Sequence, residues 1–316
     1  MKNLRRALVK GKRVLVRVDF NVFPVKPHEP RIEQVLPTIR YLLARGANVV
    51  LATHIETNDG RTPGIRPLVR YLKKKYLPSG DVVFLENLRK SPGEKRASMN
   101  FAKKLAVLGD IYVNEAFSVS HRKHASIILL PKLLPAYCGF LFEEEVKNLS
   151  KVFHPPRPFT LILAGGKVET KLPLLKALLP KADHVLLGGI IANVFLAHPP
   201  LQSKKIILPA DLIVKNGRAV DVGPKTLKSW EPVIKQSRLI VWNGPLGFIE
   251  KGYTLGTKKL VSILKKSRAK VIIGGGDTED CLPQHLPKNI FVSTGGGAML
   301  EFLATKTLPG IEALKK

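Results

Sequence analysis

The feature that most constrains this chain is an alternation of short apolar runs with amphipathic stretches, carried through once before a proline-rich joint and again after it. Val14-Leu15-Val16-Arg17-Val18-Asp19-Phe20, Val49-Val50-Leu51-Ala52-Thr53, Val82-Val83-Phe84-Leu85 and Ile111-Tyr112-Val113 read as strands. Between the first two, Ile32, Val35, Leu36, Ile39, Leu42 and Leu43 recur at helical spacing, so residues 31–44 are expected to form one amphipathic helix, stopped by Gly46. Further helices are expected at 67–76 and 97–108. Strands without a polar face are buried on both sides, which is the signature of a parallel sheet covered by helices.

Residues 140–153 read as one helix with mixed acidic and apolar faces, ended by His154-Pro155-Pro156-Arg157-Pro158. Three prolines in four positions make a stiff joint. The pattern then resumes. A strand is expected at 159–164, a helix at 168–179 and a strand at 184–187, with shorter strands at 206–208 and 212–214 and three more at 239–242, 271–273 and 290–292. At 316 residues the chain is long for one core and comfortable for two. The expected fold is α/β: two Rossmann-like domains, each a parallel sheet covered by helices, joined by a hinge helix. Residues 1–148 form the first domain, 140–158 the helix and proline joint, and 159–304 the second domain, with 305–316 a tail packed on structure already built.

Composition narrows the partners without choosing one. Lys+Arg is 52 against Asp+Glu 24, a formal net charge of +28. Such a field attracts phosphorylated metabolites, nucleotides and nucleic acid alike. Cys138 and Cys281 are too few for a disulfide framework or a metal set, which fits the reducing cytoplasm. The apolar stretch near the N-terminus is broken by Arg17 and Asp19, unlike a signal peptide, and no run of eighteen apolar residues suggests a membrane span.

Polar and glycine-rich segments follow the strands, where ligands of parallel sheets bind. In the second half these are Ala164-Gly165-Gly166-Lys167, Gly188-Gly189, Asn243-Gly244-Pro245-Leu246-Gly247, Gly274-Gly275-Gly276-Asp277-Thr278 and Ser293-Thr294-Gly295-Gly296-Gly297-Ala298. Glycine lets backbone N–H groups approach an anion, and a following helix adds its positive end. None of these segments is a Walker A loop, and none is a GxGxxG in a first βαβ unit. In the first half, basic and polar residues follow the strands instead: Asp19 and Asn21, His54, Arg89, then His121 and Arg122, with Arg31 opening the first helix. Guanidinium groups clamp phosphate and carboxylate. His121 and His124 lack a third ligand at metal-binding spacing. One domain for a small anion and one for a nucleotide describe a kinase.

These segments, Arg17-Val18-Asp19-Phe20-Asn21-Val22, Leu85-Glu86-Asn87-Leu88-Arg89 and Val241-Trp242-Asn243-Gly244-Pro245-Leu246-Gly247 foremost among them, resemble phosphoglycerate kinase over essentially the whole chain. The resemblance implies reversible transfer between 1,3-bisphosphoglycerate with ADP and 3-phosphoglycerate with ATP, by direct in-line transfer in a closed interdomain cleft. It further implies a cytoplasmic glycolytic monomer that uses Mg2+. It assigns Asp19, Asn21, Arg31, His54, Arg89, His121 and Arg122 to the phosphoglycerate, with Arg31 on the moving phosphoryl group. It assigns Gly165, Lys167, Lys171, Gly189, Asn193, Asn243, Glu250, Gly275, Gly276, Asp277, Thr278, Gly295 and Gly296 to the nucleotide. Glu250 would meet the ribose, and Asp277 would position magnesium through the nucleotide. Arg31, Lys171, Gly274 and Gly297 form the catalytic set, and the tail folds back on the first domain.

The chain departs from the family pattern at several points. Thr57 stands where the family has an arginine, with Arg61 and Arg66 the candidates to replace it. Glu115 and Ser118 replace an aspartate and a glycine, Thr170 an aspartate, and Ile190 a third glycine. Segments are missing between Leu68 and Val82 and between Leu196 and Val220, the second near the expected place of the adenine ring. Two other functions remain open on sequence: a nucleic-acid-binding or scaffolding protein derived from the kinase, and a kinase for another small carboxylic acid.

Overall fold

A computed structural model describes residues 1–22, 29–57, 59–77 and 82–315. Lys316 and residues 78–81, within the first of the shortened segments, lie outside the described residues. The chain divides into two compact units: Met1–Val146 with Thr307–Lys316, and Lys147–Lys306. The boundary falls inside the helix Phe140–Leu149, so the proline run at 154–158 belongs to the second unit.

The first unit is built on a five-stranded sheet: β1 (Arg13–Val18), β2 (Asn48–Ala52), β3 (Val82–Phe84), β4 (Ile111–Glu115) and β5 (Ala136–Cys138), in the order β3-β2-β1-β4-β5. All its pairings are parallel. The chain winds outward from β1 to β3 and then restarts on the other side at β4. The β1/β4 junction is therefore the switch point where a crevice opens at the carboxyl ends of the strands. The expected helix at 31–44 is two helices, Pro30–Glu33 and Leu36–Ala44. Pro37 has no N–H to donate and sits in the first turn of the second, which restarts the helix there. β5 escapes the sequence pattern because Ala136-Tyr137-Cys138, set between Pro135 and Gly139, lacks the β-branched run that marks the equally short β3.

The second unit is built on a six-stranded parallel sheet: β6 (Phe159–Leu163), β7 (His184–Leu187), β8 (Ile206–Ile207), β11 (Leu239–Asn243), β12 (Lys270–Gly274) and β13 (Ile290–Ser293), in the order β13-β12-β11-β6-β7-β8. Its switch point is β6/β11. Trp230 and Trp242 are wholly buried in its core. The strand expected at 212–214 does not join this sheet. It is β9 (Leu212–Lys215), and it pairs antiparallel with an unforeseen β10 (Arg218–Val222). The signal lay in Asn216-Gly217. Both residues have positive φ, +49° and +72°, as a two-residue hairpin turn requires. Residues 140–153 divide into the α-helix Phe140–Leu149 and a 3-10 turn, Ser150–Phe153.

The helix Phe140–Leu149 is anchored at its start by Glu115, at the end of β4. The Glu115 carboxylate accepts the N–H groups of Leu141 (3.0 Å) and Phe142 (3.1 Å) and the hydroxyl of Thr38, whose oxygen accepts the N–H of Phe140 at 3.0 Å. Gly139 leaves room for it, since a Cβ there would lie 2.0 Å from a Glu115 carboxylate oxygen and push the carboxylate off these donors. Burial raises the Glu115 pKa from 4.5 to about 7, against the pull of these donors. A folded-state pKa above the unfolded one means that the folded state holds the extra proton. Stability from this group is then complete below about pH 4.5 and is lost as pH rises through about 7. Thermal melts from pH 5 to 8 should show Glu115→Gln losing less stability with rising pH than the parent; parallel profiles would remove Glu115 as the cause.

Candidate functional site

Sequence places Asp19 and Asn21 one turn beyond β1, and the fold draws the other expected side chains of the first unit toward them. The Asp19 carboxylate lies 3.6 Å from an Arg31 terminal nitrogen and 3.8 Å from His54 Nδ1. It also accepts the Ser118 hydroxyl and, at 3.1 Å, the Asn21 N–H. Burial works against its ionisation, but the positive charges of Arg31 and Arg17 and the Ser118 hydroxyl outweigh it and hold the carboxyl below its usual range. His54 is neutral in this setting. Burial pushes its pKa well down, and Arg17 donates to Nδ1 at 3.1 Å, so the ring proton sits on Nε2.

Arg17 is wholly buried and underlies the cluster. Its Nε donates to Ser126 Oγ at 3.0 Å, and Ser126 in turn donates to the buried carboxylate of Glu94. Burying a guanidinium is tolerable only with such partners. Arg89 reaches the same region from the turn Leu88–Lys90 and bonds Glu56, which also accepts from Lys95. Burial lowers the pKa of His121, and that of His124 to about 4, with the surrounding arginines adding to it. The Nδ1 atoms of both rings and the Nε of Arg89 are buried without a hydrogen-bond partner. Unpaired polar atoms at a charged crevice mark a surface shaped for something else to bind.

Of the candidates to replace the arginine at Thr57, Arg61 bonds Asp59 at 2.6 Å and is exposed, and Arg66 is exposed at a helix start. Arg17, Glu56, Lys95 and Ser118 stand outside the set expected from sequence. For Arg17 a signal existed, in a charge set within an otherwise apolar strand. Nothing in the sequence pointed to Glu56 meeting Lys95 from 39 residues away.

In the second unit a cavity of about 1180 Å3 opens at the carboxyl ends of the strands. Its wall contains Gly165, Lys167, Lys171, Gly189, Asn193, Asn243, Glu250, Gly275, Gly276, Asp277, Thr278, Gly296 and Gly297. Gly274 and Gly295 lie outside the wall. A Cβ on Gly274 would strike Met299 at 2.1 Å, and the Gly295 N–H is already bonded to Ser293 Oγ at 3.1 Å. Ile190 joins the wall and is half exposed in it.

Three long helices begin at this wall, Val168–Leu178, Gly189–Ala197 and Gly297–Thr305, beside the single-turn helix Gly276–Glu279. None has a side chain capping its start, so each leaves backbone donors unsatisfied at the cavity wall. Lys171 adds a buried ammonium, its pKa lowered by burial and partly restored by Asp277. Thr278 Oγ1 accepts the Gly244 N–H at 3.2 Å and ties two of the glycine turns together. Among the described residues no three His, Cys, Asp or Glu side chains gather to hold a metal. A lone carboxylate, Asp277, fits a divalent cation that arrives on nucleotide phosphates and keeps its waters.

An arginine and histidine crevice in one unit, and a cavity ringed by uncapped helix starts in the other, define a phosphotransferase that handles a small acid and a nucleotide. The model of the phosphoglycerate kinase family matches residues 4–78, 70–206 and 200–306. A phosphoglycerate kinase of Orientia tsutsugamushi (strain Ikeda) is 36% identical over 397 aligned positions, covering 99% of this chain and 97% of the relative. One from Coprothermobacter proteolyticus is 34% identical over 388, covering 99% and 98%. Both alignments are longer than the 316 residues here, so gaps open in this chain. The solved phosphoglycerate kinase of Coxiella burnetii aligns with TM-score 0.83 at 31% identity, covering 99% of this chain and 98% of that one. That of Pyrococcus horikoshii OT3 aligns with TM-score 0.88 at 28% identity, covering 100% and 98%.

The chain belongs to the phosphoglycerate kinase family. It is a phosphotransferase of glycolysis, and its reaction is phosphoryl transfer between 1,3-bisphosphoglycerate with ADP and 3-phosphoglycerate with ATP.

The glycine turns give a direct test of the cavity. A Cβ on Gly244, whose φ is +91°, would stand 2.0 Å from the Ala164 carbonyl oxygen. Gly244→Ala should therefore push the turns apart and weaken ADP binding by about tenfold or more, as loss of two or three charge-assisted hydrogen bonds does. Calorimetric titration of the folded variant checks this, and an unchanged affinity would show that the turn does not shape the ligand's seat.

Proposed function

We propose that transfer is direct and in line, with the acid held by the first unit's cluster and the nucleotide by the second unit's cavity. What carries this reading is the donor chemistry: guanidiniums at Arg31, Arg89 and Arg122 on one side, and backbone N–H groups at three uncapped helix starts with Lys171 on the other. A carboxylate is ionised above about pH 4 and attacks without a general base. The protein's work is then alignment and cancellation of charge on the equatorial oxygens.

Arg31 meets the moving phosphoryl group. Asp19, paired with Arg31, orients it and, with Asn21 and His54, receives the acid's polar groups. His121, Arg89 and Arg122 hold the remainder of the acid. Lys171 follows the transferring phosphoryl group, while Lys167, Asn193 and Asn243 line the phosphate path and Glu250 the ribose. Bound Mg2+, brought by the nucleotide, would screen phosphate charge, with Asp277 as its nearest carboxylate.

We further read the enzyme as a cytoplasmic monomer, with both cysteines free and no helix among the described residues long and apolar enough to cross a membrane. The +28 charge concentrates both anionic substrates at the surface, and at low salt suffices to draw nucleic acid non-specifically.

A coupled assay with ATP and 3-phosphoglycerate should show turnover; none at high enzyme and millimolar substrates would reject the reaction. In that assay Arg31→Ala should lower kcat by about a hundredfold or more with ADP affinity retained, as expected for a charge acting on the transition state. Lys171→Ala should impair both turnover and nucleotide binding. Equal loss of nucleotide affinity in Arg31→Ala, or full turnover in Lys171→Ala, would remove that residue from its role.

A further inference from the structure

The crevice of the first unit contains a carboxylate that the reaction does not require. Glu56 follows His54 at the carboxyl end of β2, and its N–H donates to Asn21 Oδ1 at 2.9 Å, which fixes the residue beside the acid's seat. One of its carboxylate oxygens accepts Arg89, and the other accepts Lys95. Lys95, Arg89 and Arg122 together hold this carboxyl below the usual range, against burial, so it is anionic at any working pH.

Arg89 has little freedom to look elsewhere. Its side chain is 5% exposed, and its Nε is buried without a partner while a terminal nitrogen holds Glu56. Glu56 is looser, at 23%, and Lys95 is half exposed. An anion entering this crevice therefore meets a guanidinium already bonded, through a terminal nitrogen, to a charge of the same sign as the anion's. Either the two anions share Arg89 at close range, which is repulsive, or Glu56 swings away with Lys95.

We propose that Glu56 is a built-in competitor for Arg89, and hence a specificity-determining residue that weakens the enzyme's hold on the phosphorylated acid. This rests on the reading that the cluster seats 3-phosphoglycerate. A dianionic phosphate is penalised more than a neutral hydroxyl in the same place, so Glu56 narrows the preference for 3-phosphoglycerate over unphosphorylated glycerate. It also leaves the acid easier to release, because a replacement partner for Arg89 is at hand.

The test is direct binding to the full chain, by calorimetric titration with 3-phosphoglycerate, glycerate and ADP. Glu56→Gln keeps the side chain's size and an acceptor oxygen but removes the charge. It should bind 3-phosphoglycerate about tenfold more tightly, a gain typical of removing one close like charge at a partly buried site. Glycerate should change much less and ADP not at all. Glu56→Asp, which keeps the charge, should stay near the parent. Equal or weaker 3-phosphoglycerate binding in Glu56→Gln, with the parent binding well, would show instead that Glu56 steadies Arg89 and would overturn the proposal alone. No binding by parent or variant, with no turnover, would reject the functional reading and the proposal together.

Discussion

The cavity of the second unit depends on how closely three stretches of backbone approach one another. Gly165 follows β6, Gly189 follows β7 and Gly244 follows β11, on adjacent strands. A Cβ on Gly189 would fall 2.5 Å from the Gly165 nitrogen, and one on Gly244 2.0 Å from the Ala164 oxygen. No side chain fits in these gaps, and each of the three glycines has φ above +50°. The closeness brings main-chain donors into one wall and lets helices start there without capping residues. The unsatisfied donors are then a property of the fold rather than of any one side chain.

The first unit solves a similar problem with side chains. Its charges are layered. Glu94 and Ser126 satisfy Arg17, Arg17 sets the tautomer of His54, and His54 and Arg31 flank Asp19. The histidines are neutral because burial and nearby guanidiniums disfavour their charged forms. The positive field is thus concentrated on arginines, which cannot lose it.

Much of this was legible in the sequence because parallel sheets write a strong pattern: β1, β2, β6, β7 and β11 are apolar runs ended by polar or glycine-rich turns, and most of the residues grouped from sequence in the second half line a single cavity. What was not legible has physical causes. β5, Ala136-Tyr137-Cys138, has no β-branched residue to mark it as a strand. Pro37 splits a helix whose apolar spacing continues unbroken across the gap. Asn216-Gly217 announced the hairpin and the apolar run of β9 was readable, but in β10 Arg218 and Asp221 interrupt the apolar residues and hide the strand. Glycine also hides its reason: Gly274 carries the same letter as Gly244, but it serves packing against Met299 rather than the wall. Contacts such as Glu56 with Lys95 join distant segments through tertiary structure, and local pattern is blind to them.

The helix Pro309–Ala313 belongs to the first unit, although the chain reaches it only after completing the second. Its Gly310 N–H bonds the Ser120 carbonyl at 2.9 Å, two residues from Arg122, and a Cβ at Gly310 would crowd Ser120 at 2.7 Å. A nascent chain emerging from the ribosome therefore cannot finish its first-made unit until residues that follow the second unit are free. The loop that carries His121 and Arg122 waits for that clasp, so a chain cut before Thr307 would leave the loop unsupported even with every arginine and histidine of the cluster already synthesised.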